Sequence, residues 1–259
     1  SEDCRRAVKT LREKYGMPDA SPFAYATNMS SDLNLYCEPP QYLPEDQRGP
    51  FQPVAFVGSL SEQTLHRPAP TTSPYGGDAA GRVRIYISLG TVIWRYYESA
   101  ALGVLEAVRE AVARRPEFTA LVSLGGMEPA HGIRHLESPD FRLERYVHQW
   151  DVLGCSSVFL THHGLNSTHE AIFQRVPMIS YPFFHDQPGM AKFSQDLGLA
   201  VPLAAELRGR VSSDDILTAL SRVENRRDSM TARMEEAREW ELDVMAGRGG
   251  VIRRILDLA

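Results

Sequence analysis

The sequence predicts an α/β fold, a parallel sheet with helices on both faces, on three observations. From residue 83 onward, short apolar runs alternate with amphipathic stretches of helical period, the pattern of repeated strand–helix units. Those runs end in glycine or polar residues, as at Leu89-Gly90-Thr91, Gly125-Gly126, Thr161-His162-His163-Gly164 and His185-Asp186-Gln187. A chain of 259 residues, 43% of them apolar, can bury one large core or one core and part of another.

Taken in order, residues 3–15 carry Val8, Leu11 and Tyr15 at helical spacing, and Gly16 with Pro18 ends the helix. Leu33 to Tyr36 reads as a short strand. Pro39, Pro40, Pro44, Gly49 and Pro50 give 38–50 the composition of a linker. Pro53 to Val57 begins a new strand, and the Pro-, Thr-, Ser- and Gly-rich stretch 61–82 predicts a mobile surface loop. Val83 to Ser88 is the next strand, after which Ala101, Val104, Leu105, Val108, Ala111 and Val112 mark the buried face of a helix. Strands follow at Thr119–Leu124 and Phe141–Val147, then a short helix near Val152-Leu153. A strand at Val158-Phe159-Leu160, a helix from Ser167 to Arg175 and a strand from Val176 to Tyr181 come next. Ala191 to Leu197 reads as a helix and Leu199 to Pro202 as a last strand. Ser213 to Arg222 forms an amphipathic helix with Asp214 and Asp215 in its first turn. Two charged helices then cover 226–246 and 248–258.

Composition excludes several classes. A net charge of −5 argues against a nucleic-acid partner, which usually needs a basic face. No run approaches the roughly 18 apolar residues of a membrane span. The start, Ser1-Glu2-Asp3-Cys4, has neither an initiator Met nor an apolar signal core, so the chain reads as cut from a longer one. Three cysteines (Cys4, Cys37, Cys155) with no C-x-x-C pair point to a reducing cytoplasm.

The chemistry gathers between 146 and 187. Strand, polar glycine turn, helix is the arrangement that aims amides and a helix dipole at an anion. Gly90 and Thr91 fit a phosphate-binding turn or an ordinary N-cap. His162 fits a charge-assisted donor to phosphate or a strand-end histidine satisfied by backbone. Asn166 and Ser167 fit an anion site, yet Ser167-x-x-Glu170 is also a capping box, and Glu170 equally fits a ribose-binding carboxylate. Tyr146 and Trp150, flanking Gln149, fit base stacking or core packing. Asp186 and Gln187 fit sugar hydroxyls or a solvated turn. Among the histidines only His131 and His135 have helical zinc spacing, and Gly132 between them argues against a metal.

Together, Tyr146 through Gln149, Thr161-His162-x-Gly164-x-Asn166-Ser167-x-x-Glu170, Val176-Pro177 and Asp186-Gln187 resemble the nucleotide-sugar signature of family 1 glycosyltransferases. The close match covers about forty residues, and Ser88-Leu89-Gly90-Thr91 looks like the family's glycine loop. The resemblance implies a Rossmann-like parallel sheet, one half of a GT-B fold. Residues 51–259 would be the donor domain, and 1–50 a remnant of the acceptor domain with its linker. It further implies that Tyr146 stacks on the base in place of a family tryptophan, with Trp150 sharing that role, and that Val147 meets the base edge. Glu170 would hold the ribose, and Gln149 belongs to the same donor site. Thr91, His162, Asn166 and Ser167 would hold the diphosphate, Asp186 with Gln187 would read the sugar hydroxyls, and Gly90 and Gly164 are donor-site glycines. His148 and Leu165 depart from common family residues, so base and sugar preference do not transfer.

By the same resemblance the co-substrate is a UDP- or dTDP-sugar, with no cofactor and no metal. The acceptor is a small molecule such as a natural-product aglycone. The catalytic base sits in the N-terminal domain that this chain lacks, so no catalytic residue is expected here. A nucleotide-sugar-binding module without transferase activity and a sugar-nucleotide epimerase of the same fold are the competing expectations.

Overall fold

A computed structural model describes residues 2–18, 20, 29–59, 73–75, 81–128 and 132–258. The predicted loop 61–82 and His131 thus lie largely or wholly outside the described residues. The chain divides into two compact units, 1–58 with 246–259, and 59–245.

In the smaller unit, helix α1 (Glu2–Lys14) and strands β1 (Asn34–Tyr36) and β2 (Val54–Phe56) stand close to their sequence positions. The two strands pair in parallel, Leu35 beside Ala55. The proline-rich stretch between them is three short 3-10 turns. Arg48 fastens those turns: it donates to the carbonyls of Leu43 (2.9 Å) and Pro40 (3.0 Å), and its guanidinium lies 5.0 Å from the Phe56 ring centre.

In the larger unit, β3 (Val83–Ser88), β4 (Phe118–Ser123), β5 (Phe141–Glu144), β6 (Val158–Thr161), β7 (Met178–Ser180) and β8 (Ala200–Pro202) form one sheet of six parallel strands. Its order is β5-β4-β3-β6-β7-β8. The chain therefore winds outward from β3 in one direction, returns to pair β6 beside β3, and winds outward in the other. Helices α2 (Ile93–Tyr96), α3 (Glu98–Arg114), α4 (Gln149–Leu153), α5 (Leu165–Phe173), α6 (Gln187–Asp196) and α7 (Ser213–Asn225) connect the strands, and α8 (Arg227–Leu256) follows, its residues from 246 onward counted with the smaller unit.

The period-two alternation of the strands divides the sheet. Ile85, Ile87, Val122, Leu160 and Ile179 build one core with Val104, Leu105 and Val108 of α3 and Ile216 and Leu220 of α7. Each such side chain, fully buried, contributes about 1.5–3 kcal/mol of transfer free energy. The alternate residues Tyr86, Leu121, Phe159 and Met178 are also buried and face the other way.

Among the boundaries that differ from the sequence reading, two concern the helix ends of α5 and α8. Helix α5 begins at Leu165 with Gly164 as N-cap, before Ser167, and no side chain caps it. The capping box forms elsewhere: Ser212 Oγ accepts from the Asp215 amide, and Asp215 accepts from the Ser212 amide at 2.9 Å. The two charged helices are one, because Gly247, Gly249 and Gly250 all continue α8. Among the described residues no helix is long and apolar enough to cross a membrane.

Helix α8 also carries a charge into the core. Glu241 is wholly buried and pairs with Nδ1 of His169 on α5, which is 1% exposed. Its other oxygen accepts the Ser59 amide at 3.0 Å. Removing one partner from such a pair strands the other, so Glu241→Leu is expected to cost about 3–5 kcal/mol in urea unfolding. Adding His169→Leu should recover most of that loss.

Candidate functional site

The reversal of winding places the ends of β3 and β6 side by side, Ser88 beside Thr161. In open α/β sheets such a switch point opens a crevice at the carboxyl ends of the strands. His162 sits there, 9% exposed, with Nδ1 3.3 Å from the Ser88 carbonyl. Two glycines flank its other nitrogen. A Cβ built on Gly90, which has φ +80°, would lie 2.7 Å from Nε2, and one built on Gly164 would lie 2.5 Å from it. Both loops therefore come down on the imidazole with bare backbone.

The protonation of His162 follows from this geometry. A carbonyl only accepts, so Nδ1 carries the proton in that bond. Burial lowers the ring's affinity for a second proton, opposed in part by that carbonyl and by Asp186. In the neutral ring Nε2 then holds a lone pair. Of the two readings the sequence leaves open for His162, burial disfavours the charge-assisted donor and favours the neutral ring bonded to backbone.

A second cluster lies on the other flank. Gln149, the first residue of α4, donates from Nε2 to Glu170 Oε2 (2.9 Å) and to Ser167 Oγ (3.1 Å), both on α5. Its Oε1 accepts from the hydroxyl of Tyr86 at 3.2 Å. Because α5 starts at Leu165, Ser167 is its third residue and Glu170 its sixth. Neither serves the cap, and both side chains are free to meet Gln149. Burial raises the Glu170 carboxyl above its ordinary 4.5, against the lowering effect of the Gln149 amide. Tyr86 escaped the sequence reading. The available signal was a phenol between Ile85 and Ile87 in a buried strand, where a buried hydroxyl needs a partner.

The remaining expected residues are placed as follows. Tyr146 is 72% exposed and offers an open ring. Val147 is half-buried beside it. Trp150 is turned inward, 8% exposed, its ring 6.1 Å from that of Phe173. The stacking role expected for Trp150 is corrected to core packing, because the indole's apolar face fills the α4–α5 contact. Thr91 and Asn166 are exposed, Thr91 after β3 and Asn166 in the first turn of α5. Asp186 is exposed at the N-cap of α6. Gln187 is buried, and its Oε1 accepts the amides of Phe183 (2.9 Å) and Phe184 (3.3 Å), which leaves only its amide hydrogens for a ligand.

The strand-end turn itself is held by His163, a non-glycine residue at φ +60°. Its Nε2 lies 2.8 Å from Ser180 Oγ and its Nδ1 3.3 Å from Thr168 Oγ1. Burial and the neighbouring His162 pull its pKa down to about 3, so it is a neutral brace. A left-handed non-glycine residue costs roughly 1–2 kcal/mol, which these bonds offset. Among the described residues no three His, Cys, Asp or Glu side chains gather as a metal would require.

Comparisons with known proteins bear on the family and the fold. The family described as "UDP-glucoronosyl and UDP-glucosyl transferase" matches residues 40–234. Human UDP-glucuronosyltransferase 2B28 is 31% identical over 180 residues, 68% of this chain and 31% of that protein. The matched stretch thus spans about a third of that relative's length. Among solved structures, the glycotransferase of kitacinnamycin superposes with a TM-score of 0.74 at 22% identity, covering 97% of this chain and 61% of its own. A calicheamicin glycosyltransferase gives 0.69 at 17% identity, covering 98% and 61%. At those identities the likeness speaks to fold, a Rossmann-like half of the GT-B arrangement.

Two outcomes test the site geometry. Nitrogen-15 spectra of the imidazoles at pH 7 should show His162 neutral, with its proton on Nδ1. Gly164→Ala should push that ring aside and lower stability by about 1–3 kcal/mol on chemical denaturation, the usual cost of overpacking.

Proposed function

Since the chain belongs to the UDP-glucoronosyl and UDP-glucosyl transferase family, we propose that it is the donor-binding half of an inverting, metal-independent glycosyltransferase. It would hold a nucleoside diphosphate sugar, UDP- or dTDP-linked, whose sugar passes to an acceptor hydroxyl. A natural-product aglycone is the proposed acceptor. One observation carries the reading: a half-buried carboxylate, Glu170, held by Gln149 on the helix whose N-terminus opens at the β3–β6 switch point.

In this reading the exposed ring of Tyr146 stacks on the base, and the Val147 backbone meets the base edge. Vicinal ribose hydroxyls donate to Glu170. The first amides of α5 lack intrahelical partners, and they face the diphosphate together with the Gly90 and Gly164 backbones, Thr91, Asn166 and Ser167. His162 joins them once it takes a second proton. The helix end and these donors stabilise the negative charge of the departing nucleoside diphosphate. Asp186 and the amide hydrogens of Gln187 remain for the sugar. The base that removes the acceptor proton would come from residues outside this chain, in a domain of which 1–50 form the last part.

Calorimetry with UDP, dTDP and GDP tests the site. Binding of UDP or dTDP is expected, and no binding of any of the three would defeat the assignment. Glu170→Ala should weaken that binding by about 1–3 kcal/mol, the cost of leaving hydroxyls unpaired. Incubation with a UDP-sugar alone should give no epimer, and an epimer would replace the transferase reading.

The pH dependence has a definite sign. Glu170 titrates higher in the folded chain than in the unfolded one. Its contribution to folding is therefore present at low pH and lost as pH rises through the raised value. Acceptance of ribose hydroxyls needs the carboxylate, so nucleotide affinity should fall as pH drops through that same value. Glu170→Ala should flatten this acid limb in a pH series of binding constants.

A further inference from the structure

We infer that Tyr86 is a positioning residue for ribose recognition, acting through the Gln149 amide on the carboxylate of Glu170. The inference rests on the donor-site reading above and adds a residue buried beneath it.

Tyr86 lies in β3, 1% exposed, on the sheet face opposite the α3–α7 core. Its ring stacks on Phe159, its register neighbour on β6, with centroids 4.9 Å apart and planes 14° apart. Packing alone therefore fixes where the hydroxyl points. Ser88 and Ser123, a register pair across β3 and β4, fall on the same face of the sheet as Tyr86. The phenol donates to Gln149 Oε1 at 3.2 Å.

The consequence lies in how the amide is used. Gln149 has two amide hydrogens, and they meet Ser167 and Glu170 at 3.1 and 2.9 Å. Both are committed only while Oε1 points back at Tyr86. The flipped amide would set Oε1 against Glu170 Oε2, acceptor on acceptor. Tyr86 thus tethers the carbonyl end of Gln149, and the hydrogens project together onto α5. Glu170 Oε2 is held, its other oxygen is presented for a hydroxyl, and Ser167, accepting from Gln149, keeps its own proton to donate. Chains of hydrogen bonds polarise one another in this direction. Without the phenol hydroxyl, the buried carbonyl loses its partner and the amide is free to turn away from α5.

The test compares UDP with 2′,3′-dideoxy-UDP, which lacks the vicinal hydroxyls, by calorimetry on the 259-residue chain. The wild type is expected to prefer UDP. Tyr86→Phe, which keeps the ring stack, should weaken UDP about tenfold and the dideoxy analogue less than about twofold. In a Glu170→Ala background, Tyr86→Phe should change UDP affinity less than about twofold, because the two residues act on one contact. An equal loss for both ligands, or no loss for either, overturns the role of Tyr86. A wild type that binds UDP and its dideoxy analogue equally removes the ribose assignment of Glu170 and this inference with it. A wild type that binds neither removes the donor site itself. Should Tyr86→Phe not fold, Gln149→Met cuts the same relay from its other end. That variant should then lose the preference for UDP over the dideoxy analogue, and a preference kept intact would overturn the inference.

Discussion

The pairing of β3 with β6 is the constraint on which the rest of the larger unit depends. These strands are far apart in sequence and adjacent in space, and their register sets Ser88 beside Thr161. One residue beyond that pair, the Ser88 carbonyl reaches the His162 ring, and the glycine loops of both strands close around it. A slip of one residue would turn every alternate side chain to the opposite face. It would then take Tyr86 away from Gln149 and His162 away from Ser88. The same register aligns Tyr86 with Phe159, so the core contact and the site contact are set by one geometric choice.

Much of this was legible in the residues. Strand and helix positions followed from apolar periodicity, because the sheet is buried on both faces and its runs are bounded by glycine and polar turns. The switch point itself was not legible. Nothing local in Val83–Ser88 or Val158–Thr161 says that they pair, since parallel pairing is decided by helices packing between distant strands. The capping box shows the limit clearly. Ser167-x-x-Glu170 and Ser212-x-x-Asp215 have the same spacing, yet only the second caps a helix. Leu165 and Asn166 already enter α5, so Ser167 arrives too late to cap. Trp150 was ambiguous for a similar reason: an indole suits a base or a core equally, and only burial against Phe173 decides.

Glu170 and Glu241 show two ways of holding a carboxylate away from water. Glu241 has no exposure, and its oxygens meet a histidine and a backbone amide. It is spent within the protein and ties α8 to α5. Glu170 is partly accessible, meets a single amide, and is raised by burial. One carboxylate is matched by the fold, and the other is left short of partners at an open edge. A polar group with unused capacity in a desolvated place is a poor contributor to stability and a good acceptor for a ligand.

The division of the sheet into two faces extends this contrast to the whole unit. On the α3–α7 side the inward positions are almost wholly apolar, and the energy there is packing. On the other side the carboxyl ends of β3 and β4 carry Tyr86, Ser88 and Ser123, polar groups that a core built only for stability would omit. They cost desolvation unless each finds a partner, and the phenol finds one in Gln149, whose amide goes on to Ser167 and Glu170 of α5. Polar residues beneath a sheet edge are therefore informative in proportion to how buried they are. The side chain most directly joined to the candidate ribose acceptor, through one amide, is a tyrosine almost without exposure.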